Sequence, residues 1–75
     1  MKNQDKHQFQ PVKDLISFFG TQEKLAEALG VEQGTVTGWL NFRHGMSERN
    51  ALKAERITNG QVKAVDLCPI LAEVM

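Results

Sequence analysis

At 75 residues the chain has room for one small domain, and its core is marginal, because a chain of this size buries only about 60% of the surface it exposes when unfolded. Nine Lys and Arg balance nine Asp and Glu; the zero net charge excludes the broadly basic surface usual in nucleic-acid binders and leaves only local basic patches to serve that role. The single cysteine, Cys68, excludes an internal disulfide and fits a reducing cytosol, and no apolar run nears a membrane span of about 18 residues or opens the chain as a signal core, so a cytoplasmic protein is expected.

Met1 to Gln10, MKNQDKHQFQ, is polar and lacks periodicity. It reads as a flexible arm ahead of a domain running from Pro11 to Met75. Its Lys2, Lys6 and His7 could touch phosphates, and a solvated end is the plainer reading. Pro11 suits a first helical turn, where its missing N–H costs nothing. Val12, Leu15, Ile16 and Phe19 then recur as one apolar helical stripe, and Gly20 stops it. Thr21 caps a second helix, with Lys24 standing where a full capping box has Glu or Gln. Leu25, Ala26 and Leu29 form its buried face, and Gly30 ends it.

A third helix is expected from about Gln33. Val36, Trp39 and Leu40 turn inward, while Gln33, Gly34, Thr37, Gly38 and Asn41 share the outward face. After the loop NFRHGM, Ser47 caps a fourth helix with Glu48 in its first turn. Ala51, Ala54 and Ile57 turn inward, and Asn59-Gly60 ends the helix, Gly60 supplying the left-handed residue. QVKAV is open between an extended segment and a last helix, and Pro69 argues against an unbroken helix through DLCPIL. Ile70, Leu71, Val74 and Met75 make an apolar end. Arg49, Lys53, Arg56 and Lys63 outnumber Glu48 and Glu55 between Met46 and Lys63, whereas the last dozen residues carry only Asp66 and Glu73.

The stretch GTQEKLAEALGVEQGTVTGWL is therefore two short helices joined at Gly30, the helix-turn-helix arrangement. Ala26 is small where the second helix crosses it. Gly30 takes the positive φ that the turn requires. Val31 plugs the turn, and Val36 and Trp39 anchor the second helix, leaving its outer face free for a major groove. An all-helical bundle with no DNA role is the plainer alternative.

With these residues the chain resembles the small Cro-type repressors of prophages, in the branch grouped with YdaS-like antitoxins. FGTQEKLAEALGV resembles the opening of that family and VTGWL its recognition helix. ERITNGQVKAVDLCP resembles its Glu-Arg pair, glycine turn, valine and closing Leu-x-Pro. The resemblance runs from about Val12 to Pro69. Ser47 stands where the family often has proline, and Cys68 where it usually has arginine. The resemblance implies an all-α fold of about five helices, lambda-repressor-like with a helix-turn-helix. It also implies a transcriptional repressor of a phage-type, double-stranded DNA operator, acting as a homodimer.

Gln33 is the leading candidate for base readout, since an amide can pair both edges of adenine. Thr37 can meet a thymine methyl or a base. Gly34 and Gly38 belong to the same reading face; either their bare backbone lets DNA approach closely or the face merely tolerates them. Thr35 and Asn41 are expected at phosphates. Glu32 is open between accepting from a cytosine amino group and capping the helix. Gln22 stands where the family's glutamine bonds a phosphate, at a helix N-terminus that attracts anions. Arg43 and His44 are placed to clamp the backbone. Ile70, Leu71 and Val74, with the fourth helix, are the expected dimer surface. His7, His44 and Cys68 lack metal-ligand spacing, and no nucleophile–base set exists, so neither a metal, a cofactor nor enzyme activity is expected. The competing function is a protein-interaction module, such as an antitoxin that binds a partner protein.

Overall fold

The computed structural model describes residues 8–74, apart from the side chain of Val74. The possible phosphate contacts Lys2, Lys6 and His7 lie outside the described residues, as does Met75. Six helices follow in order: α1 Gln10–Phe19, α2 Gln22–Leu29, α3 Gln33–Leu40, α4 Glu48–Ile57, α5 Ala64–Leu67 and α6 Leu71–Val74. The fold is all-α among the described residues. The count is six rather than about five because the chain resumes one helical turn after Pro69, which lies in the break between α5 and α6.

Several helix ends have a local cause. Thr21 Oγ1 accepts from the Lys24 N–H at 3.1 Å, and Ser47 Oγ accepts from the Asn50 N–H at 3.2 Å, so α2 and α4 open on hydroxyl caps as expected. Three helices close with the same double hydrogen bond, in which a left-handed residue folds the chain back onto the last turn. After α2 that residue is Gly30 (φ 74°), and Val31 N–H donates to Ala26 O at 2.9 Å. After α4 it is Asn59 (φ 55°), followed by Gly60 (φ 81°), whose N–H donates to Glu55 O at 2.8 Å. After α3 it is Phe42 (φ 61°), a residue with no local reason to be left-handed.

The core gathers Val12 and Leu15 of α1, Leu25, Ala26 and Leu29 of α2, and Val36, Trp39 and Leu40 of α3. Met46, Ala51, Ala54, Val62, Ala64, Leu67, Cys68 and Leu71 complete it from the second half. Ile16, Phe19, Val31 and Ile57 pack at its edge. Two residues of the expected arm, Phe9 and Gln10, are placed with the domain. Gln10 already belongs to α1, Phe9 packs on the core, and the Phe9 N–H donates to Leu40 O at 2.8 Å. This bond ties the start of α1 to the end of α3.

α3 is a poor helix by composition. Its two glycines cost about 2 kcal/mol together relative to alanine, and its threonines and valine add to that. Burial of Val36, Trp39 and Leu40 supplies about 1.5–3 kcal/mol for each side chain, so tertiary packing decides the issue.

Candidate nucleic-acid interface

α3 packs against α1 and α2 through Val36, Trp39 and Leu40. At 100° per residue, this places Gly34, Gly38 and Asn41 along the centre of the opposite side, with Gln33 and Thr37 on the flank. Gln33 and Gly34 are exposed, and a Cβ at Gly34 would meet nothing within 4 Å. Thr37 is half-buried because it faces the N-terminus of α2. Its hydroxyl donates to Gln22 Oε1 at 2.9 Å, with Gln33 O at 3.2 Å as the weaker acceptor. The Gln22 amide is thereby fixed by its oxygen, and its Nε2 has no partner among the described residues. A held amide beside the first N–H groups of α2 is a ready anion donor.

The remaining expected contacts are placed unevenly. Thr35 is half-buried at the margin of the face. Asn41 is exposed, and its Nδ2 folds back to Thr37 O at 3.1 Å, so part of its donor capacity goes to closing α3. Glu32 is exposed and makes no side-chain cap, which removes the capping alternative. Arg43 and His44 are exposed in the loop beyond α3. The Arg43 N–H donates to Gly38 O at 2.8 Å, which pulls this loop back over the end of the helix.

Two expectations need correction. Gly38 is not bare backbone: it is buried, and the imidazole of His44 fills the space its Cβ would take. Leu71 packs in the core of its own chain, 5% exposed, so it offers no surface to a second copy. Ile70 is 53% exposed and Leu52 of α4 is 45% exposed, while the Val74 side chain lies outside the described residues.

Sequence reasoning missed the supports behind this face. Lys53 Nζ of α4 donates to Leu29 O at 3.3 Å, placing a cation at the C-terminus of α2. Glu55 Oε1 accepts from the Ala64 N–H at 2.7 Å and so caps α5 from nine residues away. Neither pairing has a sequence signal, because both join helices through tertiary approach. The Phe42 ring packs against Phe9 with centroids 5.5 Å apart and planes tilted by 54°. Among the described residues, no three His, Cys, Asp or Glu side chains come together as a metal site, and no helix is long and apolar enough to cross a membrane.

The family model described as bacterial toxin YdaS matches residues 12–71. The chain belongs to the YdaS family. Phage regulators are among its relatives. It is 49% identical over 57 residues to the regulatory protein Cro of Pseudomonas phage D3, covering 76% of this chain and 78% of that protein. It is 37% identical over 51 residues to the regulatory protein Cro of Salmonella phage P22, covering 68% and 79%. No solved structure matches the chain significantly. The YdaS match spans every described candidate residue from Gln22 to Leu71, so the α2–α3 pair and its supports in α4 and α5 form one family unit.

Proposed function

We propose that this protein is a sequence-specific DNA-binding transcriptional regulator, a Cro-like repressor of a prophage operator. α3 enters the major groove, the Gln22 amide and the loop of Arg43 and His44 hold the backbone on either side, and the protein acts as a homodimer. The observation that carries this reading is the presentation of α3. Its outward side exposes Gln33, Gly34 and Asn41, and it lies between a tethered amide at the start of α2 and an exposed cationic loop. The relatives named as regulatory proteins support it.

Within this reading Gln33 and Thr37 face bases, and Gly34 lets the helix backbone come close. Thr35, Asn41, Gln22 and Arg43 serve the phosphates. Ile70, with Leu52 on α4, is the surface proposed for a second copy; Phe18 and Phe42 are the other large apolar side chains exposed among the described residues. A role toward a partner protein is the second reading, favoured by the neutral charge and by the toxin description of the matching family.

Gln33→Ala is expected to cost about 1–3 kcal/mol on the preferred duplex and to relax selectivity at one base position. Arg43→Ala is expected to weaken all duplexes alike and to lower the slope of log affinity against log salt by about one. Titrating both variants against matched and scrambled duplexes at two salt concentrations tests this division. Indistinguishable effects from the two substitutions would refute it.

A further inference from the structure

We infer that His44 is a working member of the DNA-facing surface of α3 and that Gly38 is the positioning residue that seats it there. This rests on the reading of α3 as the recognition helix. The two glycines of α3 lie one turn apart, yet their surroundings differ. A Cβ at Gly34 would stand in open space. A Cβ at Gly38 would stand inside the His44 imidazole, with Cε1 at 2.7 Å, Cδ2 at 2.8 Å and Nε2 closer still. Gly38 is buried while His44 is exposed, so the ring is the cover and the helix backbone is what it covers.

The loop geometry makes this seat reachable. Phe42 turns left-handed, and the Arg43 N–H returns to Gly38 O at 2.8 Å. The next residue, His44, therefore starts beside the position it covers. The ring abuts the helix through its Nε2 end, which leaves Nδ1 as the nitrogen farther from the backbone. A loop histidine thus fills a place on the outward face that α3 does not fill itself. Its chemistry suits a hydrogen-bond acceptor of DNA, either a phosphate oxygen or a purine N7 in the major groove. Any side chain at position 38 displaces the ring. The ring belongs to an exposed loop residue, so displacement leaves the fold intact.

The test uses the duplex enriched from a random pool and five proteins: the parent chain, Gly38→Ala, His44→Ala, the double variant and His44→Phe. Each single alanine variant is expected to weaken binding about tenfold, the size of one lost hydrogen bond to a charged or strongly polar group. The double variant is expected to be no weaker than either, because both changes remove the same contact. His44→Phe keeps a ring over Gly38 and removes both nitrogens. It should preserve the ring-current shift of the Gly38 α-protons in NMR while binding falls as in His44→Ala. Loss of a phosphate contact lowers affinity for all duplexes, and loss of a base contact changes the enriched sequence.

Losses that multiply to about a hundredfold in the double variant would overturn the inference, since Gly38 would then act on its own by close approach to DNA. Unchanged binding by His44→Ala would overturn it as well, with the DNA-binding function intact. A parent chain that enriches no duplex overturns both readings. The thermal midpoint of Gly38→Ala, expected at or above that of the parent because alanine favours helix, verifies that the variant folds.

Discussion

Phe42 and Gly30 occupy the same kind of backbone position with opposite local suitability. Both are left-handed residues that fold the chain back over a finished helix, at φ 61° and 74°. For a residue with a Cβ that conformation costs about 1–2 kcal/mol. Gly30→Ala should therefore lower stability by about 1–2 kcal/mol in a urea titration. Phe42→Gly should leave stability within about 1 kcal/mol, because relief of the strained backbone offsets the lost contact with Phe9, worth about 0.5–1.5 kcal/mol. A loss of 3 kcal/mol or more would mean that the Phe42 ring is a core element. Gly30 was legible in the sequence because a glycine between two amphipathic stretches has a single ready explanation. Phe42 was not, since nothing local predicts a left-handed phenylalanine; the closure of α3 and the packing against Phe9 impose it. Gly38 was visible as an oddity in a helix, but its reason lies six residues away in His44.

The helices themselves were legible wherever caps and periodicity agree. Thr21, Ser47, Gly20 and Gly30 mark the ends of α1, α2 and α4 as read from the chain. The end of the chain was not legible, because α5 and α6 have four residues each and are too short to show a period. Instead α5 is held by α4, and α6 packs on α5. Glu55 caps α5 at the Ala64 N–H, so Glu55→Ala should cost about 1.5–3 kcal/mol, while Glu55→Gln, which keeps an acceptor, should cost clearly less. The fully buried Thr58 ties the end of α4 to the loop ahead of α5. Its hydroxyl donates to Ala54 O at 2.9 Å and accepts from the Val62 N–H at 3.3 Å. Thr58→Val keeps the shape and leaves that N–H unpaired, for an expected loss of about 1–3 kcal/mol. Denaturant midpoints check all three. If Glu55→Ala and Thr58→Val were silent, the second half of the molecule would be held by apolar packing alone.

The whole molecule measures 38 × 25 × 20 Å over its described residues. Half-sites one DNA turn apart lie about 34 Å from centre to centre, so on the proposed reading two copies touch only where the 38 Å axis runs along the DNA, at their ends. Such a contact is small, and dimerisation should be weak in solution and completed on DNA. Sedimentation of the free protein should show a dimer only at high concentration, and Ile70→Asp should abolish it; a dimer that survives that change would place the interface elsewhere. With zero net charge, few phosphate contacts and a modest affinity for DNA are expected on the same reading. On the proposed reading, α3 reads DNA as one half of a two-fold pair. Selection of bound duplexes from a random pool, at low and at physiological salt, tests it most directly. Enrichment of a palindrome whose half-sites lie one turn apart is expected at both salt concentrations. A pool that stays random at both would contradict it and leave a partner protein as the target of this surface.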